Sequence, residues 1–417
     1  MLGRRVGRWL GALGVLAMIA AGCGDDDDGD SGPTTTEAPD VSLPEGEPIK
    51  FVAAAAVAGI VAQPEVFDAA DAAVEAINAD GGIPDPAGGP NRPLEVVRCE
   101  AGAGGSVDPD VALKCAQETI AEGVIAVVGR FLLGPDGTQA WAQAGIPMIG
   151  TAPSEAEDFI NPLVYPISGG ALTGPGGVAV ALQEEGAETI ALVTGDVAAG
   201  RALPGLMTPV LESPDDLVNQ TYLPLDPSAD FTTQIAQLVS ANPDGVAVFG
   251  STDINVRTIA GLRGAGYTGL IGMPTTGLGS DGLETLGETA DGLIIVSDFQ
   301  SPDDTGEAID RFNAEMDAID SDAPRTGLAV NAWASVHLFA EVLRDLDTID
   351  PPSLLAALDG RPVDLGVAPP FTLNVPDNPV GAPRIFRVTF QVQEVQDGEI
   401  LPSGDGEFLD LNDFQSG

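Results

Sequence analysis

The sequence predicts an α/β protein of two tandem units, each a parallel sheet wound with helices on both faces. Three observations carry this. Short apolar runs alternate with segments of helical spacing. The runs are continuous rather than polar-apolar alternations, as strands buried on both faces of a parallel sheet require. The pattern also restarts midway along a chain of 417 residues, 44% of them hydrophobic. That length suits two domains of about 100–200 residues each.

The elements follow in order. Residues 49–56 form a short apolar strand. Residues 63–78 show helical spacing through Val66, Ala69, Ala70, Ala73, Val74 and Ile77, closed by Asp80-Gly81-Gly82. A strand at 94–98, a helix at 108–122, a buried strand at 124–128, a helix at 138–144 and a strand at 147–150 complete the first unit. The second opens with a helix at 177–184 and a strand at 189–194. It continues with a helix at 202–211, an extended segment at 221–223, a helix at 231–241 and a buried strand at 245–249. A helix at 256–264 and strands at 270–272 and 292–296 follow. Helices are expected at 306–318, 328–346 and 352–358, and a late hairpin-like strand region at 385–395.

The charge balance narrows function. Seventeen basic and 63 acidic residues give a net charge of −46. Such a surface repels nucleic acid, whose binding depends on neutralising phosphates, so no nucleic-acid partner is expected. At the N-terminus, Arg4, Arg5 and Arg8 precede an apolar run over 10–21. The run is shorter than the ~20 residues of a membrane span and fits the roughly 7–15 of a signal-peptide core. It ends in Ile19-Ala20-Ala21-Gly22-Cys23, which resembles the bacterial lipobox, with Ala20 where leucine is usual. The resemblance implies a lipoprotein signal peptide over 1–22 and acylation of Cys23, palmitate included. It implies export and a lipid anchor at the outer face of the cytoplasmic membrane. Cys99 and Cys115 then remain as a pair, which an oxidising compartment permits to form a disulfide. Residues 23–47, rich in Asp, Gly, Ser, Thr and Pro, read as a disordered acidic tether.

Several stretches resemble type I periplasmic binding proteins of ABC transporters, nearest the leucine/isoleucine/valine-binding kind. Phe67-Asp68-Ala69-Ala70 through Ala76-Ile77-Asn78-Ala79-Asp80-Gly81-Gly82-Ile83 is similar to the first helix and turn. Val124-Ile125-Ala126-Val127-Val128-Gly129 resembles the strand entering the first binding loop, and Gly145 through Ser154 the second. Asp230-Phe231 and Pro243-Asp244-Gly245-Val246 resemble the second lobe, so the likeness spans about 48–397. It implies two doubly wound parallel-sheet lobes joined by three hinge crossings, placed near Ile167, Val296 and Pro370. Lobe 1 would be 48–167 plus 297–370, and lobe 2 168–296 plus 371–417. A monomer that closes on a small-molecule ligand and meets permease subunits is the implied working unit.

Carried over by position, the ligand-binding candidates are Arg130, Phe131 and Leu132 (with Leu133), Ala152 and Ser154, then Asp196, Ala199, Ser251, Thr252 and Thr275. Amino-acid binders of this kind usually offer a hydroxyl in the first loop, an aromatic near position 199 and an acid near 275. Leu132 or Leu133, Ala199 and Thr275 stand there instead. The grip on a plain α-amino acid is therefore incomplete, leaving room for an amide, an aromatic or another apolar solute. Arg130 is a candidate partner for a carboxylate, Ser154 for any polar head.

Signals for chemistry are weak. His337, the single histidine, lies in an apolar helix beside Trp333, Val336 and Phe339. Gly264-Ala265-Gly266-Tyr267-Thr268-Gly269 spells Gly-x-Gly-x-x-Gly but follows a helix and precedes a strand, the reverse of a dinucleotide fingerprint. Two cysteines and one histidine do not fill a structural zinc site. The expectation is a non-enzymatic binding protein without metal or cofactor. The alternative is an extracellular ligand sensor of the same fold, uncoupled from transport.

Overall fold

The computed structural model describes residues 43–414 apart from 58–62, 101–108, 132–134, 227 and 379. The leader, Cys23 and most of the expected tether lie outside them. The first sheet is built from β1 (Ile49–Ala55), α1 (Glu65–Ala79), β2 (Leu94–Glu100), α2 (Pro109–Ala121), β3 (Val127–Val128), α3 (Pro135–Gln143), β4 (Met148–Ile149), α4 (Ala156–Ile160) and β5 (Val164–Tyr165). Its strands run parallel in the order β2-β1-β3-β4-β5.

The chain then crosses to a second sheet through α5 (Thr173–Glu184). There follow β6 (Ile190–Gly195), α6 (Ala198–Ala202), α7 (Pro204–Met207), β7 (Leu217–Leu223), α8 (Thr232–Ala241), β8 (Gly245–Phe249), α9 (Thr252–Gly264), β9 (Leu270–Pro274), α10 (Ser280–Leu286) and β10 (Leu293–Ser297). It returns for α11 (Glu307–Ile319), α12 (Gly327–Arg344), α13 (Pro351–Leu358) and the small pair β11 (Pro362–Val363) and β12 (Phe371–Thr372). It ends in β13 (Thr389–Gln396), β14 (Glu399–Pro402) and β15 (Phe408–Asp410). The second sheet has the order β14-β13-β10-β9-β8-β6-β7; β13 is antiparallel to β10 and carries β15 off that path.

Side chains of a strand alternate between the faces of its sheet, and the cores show this directly. Ile49, Phe51, Ala53 and Ala55 of β1 face a core formed with α1, α11 and α12, in which Phe51 meets Phe339 edge to face at 5.3 Å. Val52 and Ala54 face the opposite layer, with Trp141 and the Cys99–Cys115 disulfide that ties β2 to α2. In β6, Ile190 and Leu192 face the layer of α5, and Ala191 and Val193 the layer of α8 and α9. Apolar residues on every position of a strand are thus the sign of a sheet covered twice. None of the described helices is long and apolar enough to cross a membrane.

Some expectations shift. The helix expected over 202–211 is broken into α6, α7 and a 3-10 turn over Thr208–Val210, because Pro204 and Pro209 supply no backbone N–H. Only Val127–Val128 of the run at 124–128 is strand, and 385–388 precede β13 without joining it. The expected tether reaches too far: the Gly46 N–H donates to Asn91 O at 2.8 Å, and Arg92 Nε to Glu47 O at 2.7 Å. Phe371, Leu373 and Phe386, which follow the third crossing expected near Pro370, still pack on the first core.

Candidate ligand cleft

In a sheet ordered 2-1-3-4-5, neighbouring connections diverge on either side of the first strand, leaving a crevice beyond the carboxyl ends. The first sheet has this order, and β7-β6-β8-β9-β10 repeats it in the second. Both crevices open onto one cavity of about 310 Å³. Phe131 follows β3, and Ala152, Pro153 and Ser154 follow β4. Ala199 and Leu203 lie beyond β6, Phe249 ends β8, and Thr275 and Thr276 follow β9. Between them stand Ser168 and Asp298, on two of the crossings, and the first turns of α5 and α12.

The loop after β4 is fixed from behind. Asp158 Oδ2 accepts the Ser154 and Glu155 N–H groups, each at 3.0 Å. Its Oδ1 accepts from Arg130 Nη2, and Glu155 lies 3.7 Å from Arg130 Nη1. Arg130 and Asp158 are both fully buried. Arg130 is therefore committed to the loop and is not part of the lining. The Ser154 hydroxyl, in contrast, is shut off from solvent with no hydrogen-bond partner, and Ser154 lines the cavity.

A second unsatisfied group comes from α12. Asn331 is 2% exposed and donates through Nδ2 to Gly150 O at 2.7 Å. A carbonyl can only accept, so the amide orientation is chemically fixed. Its Oδ1 is left buried and without a partner, on a residue that lines the cavity. The contact depends on Gly150: φ is +67°, and a Cβ there would lie 1.7 Å from Ser335 Oγ. Across the cavity, α12 begins at Gly327, where a Cβ would stand 2.6 Å from Thr275 Cγ2. Glycine lets the two walls meet at that point.

Asp298 contributes the cavity's carboxylate. Gly169 N–H donates to Asp298 Oδ1 at 3.2 Å, and Arg387 Nη2 donates to its backbone carbonyl at 2.8 Å. Burial pushes the Asp298 carboxyl above its ordinary value, opposed by Arg387, the Gly169 N–H, Thr173 and the Gly170 N–H. Burial likewise pushes the Arg387 guanidinium down to about 10, with Asp298 opposing. Arg387 is spent on protein acceptors, Ile167 O through Nε and Thr389 Oγ1 through Nη1, each at 2.8 Å.

Of the residues singled out from the sequence, Phe131, Ala152, Ser154, Ala199 and Thr275 line the cavity. Asp196 is an exposed partner of Arg201. Ser251 caps α9 and Thr252 begins it, both outside the lining. Leu132 lies outside the described residues. Asn331, Asp298 and Phe249 are additions. An acid just past an apolar strand was a legible signal for Asp298. His337 bonds Glu315 at 2.8 Å, next to Trp333, and is not part of this cavity.

A cavity shared by two doubly wound halves is the architecture of the type I periplasmic binding protein fold. A periplasmic binding protein family model matches residues 51–393, and the chain belongs to that family. Among solved structures it resembles LivJ of Streptococcus pneumoniae, a branched-chain amino acid transporter substrate-binding protein in complex with isoleucine. The TM-score is 0.70 at 16% identity, over 87% of this chain and 100% of that one. It also resembles an ABC transporter solute-binding protein of R. palustris in complex with benzoate, with a TM-score of 0.68 at 18% identity, over 86% of this chain and 96% of that one. A possible leucine/isoleucine/valine-binding protein of Rhodopirellula baltica gives 0.70 at 15%, over 90% and 100%. No curated protein matches the chain.

Proposed function

We propose that this chain is the exported, lipid-anchored substrate-binding protein of an ABC importer. It clasps one small solute between lobes hinged near Ile167, Val296 and the segment after Leu373, then presents it to permease subunits. Phe131, Ala152, Ser154, Ala199 and Thr275 act as ligand-binding residues, joined by Asn331 and Asp298. Cys23 carries the lipid.

The observation that carries this reading is that buried, unpartnered polar atoms, Ser154 Oγ and Asn331 Oδ1 among them, belong to residues of one shared cavity. An unsatisfied buried polar atom costs about 1–3 kcal/mol, and a ligand that bonds it recovers that cost. The volume of about 310 Å³ lies at the lower end of the usual ~300–1,000 Å³ for ligand sites, which suits a small solute. A ligand touching both walls stabilises the closed form over the open one.

The test is a thermal-shift screen of the purified protein against small solutes, with X-ray scattering on each hit. A ligand at 100 times its Kd should add about 2.7 kcal/mol of stability and shrink the radius of gyration. A panel that produces neither effect overturns the reading. Cys23→Ala should release the protein from membranes into the medium; unchanged retention would remove the anchor.

A further inference from the structure

Resting on that reading, we infer that the cleft selects an apolar solute with an N–H donor head, an organic amine or primary amide, and rejects carboxylates. Asn331 presents an acceptor, because its donor end is held by Gly150 O. Asp298 presents a carboxylate, which keeps its negative charge while its Oδ1 accepts the Gly169 N–H. Ser154, Ser168, Thr173, Thr275 and Thr276 present hydroxyls, which donate or accept and bring no charge to offset a carboxylate. The Ser154 and Glu155 N–H groups that would suit an anion are already taken by Asp158.

No lysine, arginine or histidine is among the lining residues. The segments 58–62, 101–108 and 132–134 contain none in their sequence either. The nearby arginines lie outside the lining: Arg130 is ion-paired with Asp158 and Glu155, its Nε and Nη1 making no hydrogen bond, and Arg387 bonds Ile167 O, Thr389 and Asp298 O. A bound carboxylate would share a water-poor space with Asp298, where two like charges disfavour each other. The first turns of α5 and α12 also face the cavity. Their partial positive charge favours the ionised form of the anion already present. The rest of the lining, with Phe131, Phe249, Phe299, Leu203, Leu328 and Val296, asks for an apolar body. An ammonium head also gains from neighbouring aromatic faces.

The experiment holds the carbon skeleton constant and changes the head. Benzylamine, benzamide and benzoate, and leucinamide beside leucine, are titrated into the purified protein by calorimetry, with scattering as the readout of closure. The amine or amide is expected to bind at least about tenfold tighter than the acid of its skeleton. Asp298→Asn should weaken the amine by about tenfold and leave the amide within about threefold. Asn331→Leu should weaken both heads. If that variant loses its fold with the Gly150 contact, Ser154→Ala gives a second reading of the same preference. Tighter binding and closure with benzoate or leucine would overturn the selectivity while sustaining the cleft as the binding site. Silence from every head group, with no closure, would overturn the cleft itself.

Discussion

The two walls of the cavity are built differently. On the side of the first sheet, Ser154 and Asn331 are polar and held by buried contacts: Asp158 takes the loop's N–H groups and Gly150 O takes the amide. On the side of the second, Phe249, Leu203, Ala199 and Pro274 offer mainly apolar surface, with Thr275 and Thr276 at its edge. Directional bonds orient a guest, whereas apolar contact rewards whatever area is covered. The first wall is the one that reads the ligand's head, and the second covers its body.

The largest effect is expected behind the first wall. Asp158→Ala strips the buried Arg130 of its closest counter-charge and leaves the Ser154 and Glu155 N–H groups without their acceptor. Removing one partner of a buried ion pair costs about 3–5 kcal/mol. Denaturant unfolding should show a loss of that order, with ligand binding abolished. A loss below about 1 kcal/mol would mean that Arg130 reaches solvent, and that the first wall is less rigid than the second.

Next in size is the effect of the walls on the ligand. Phe249→Ala should weaken every bound solute by a similar factor, since burying an aromatic side chain contributes about 1.5–3 kcal/mol without regard to head group. Asn331→Leu should change the ranking of solutes. A Phe249 variant that altered the ranking, with an Asn331 variant that only lowered affinity, would reverse the division of labour. Calorimetry of both variants against one panel decides it.

The same contrast explains what the sequence could disclose. The sheets were legible because burial on both faces writes continuous apolar runs, as in Ile49–Ala55 and Gly245–Phe249. Ala152 and Ser154 were singled out through the family resemblance, whose second binding loop follows directly from a strand end. Asn331 was harder: it reaches the site from α12, across 181 residues from its partner Gly150, and local spacing carries no record of that contact. Arg130 shows the converse. Its place next to a strand end suggested a ligand partner, but the acid that claims it, Asp158, lies 28 residues further along the chain, in α4. The ends of the late strands were obscured for another reason, since Ile385, Phe386 and Val388 are apolar and buried without belonging to the sheet.

The smallest effect is a pH dependence at Asp298, which stands between the walls. Burial holds its carboxyl above the ordinary value of 3.8, against the pull of Arg387. With a folded-state value above the unfolded one, Asp298 supports the empty protein fully below the ordinary value. That support is lost as pH rises through the elevated value. Arg387, pushed down only to about 10, stays charged through this window. The stability of the native sequence minus that of Asp298→Asn should therefore fall across the window and then level off. An amine needs the ionised carboxylate, so its affinity should move the other way, weakening as pH falls through the same range. A carboxylate ligand would strengthen there instead. Thermal unfolding of both proteins, empty and amine-saturated, at closely spaced pH values measures both trends. Two slopes of the same sign would mean that Asp298 belongs to the hinge alone and that the first wall reads the head without it.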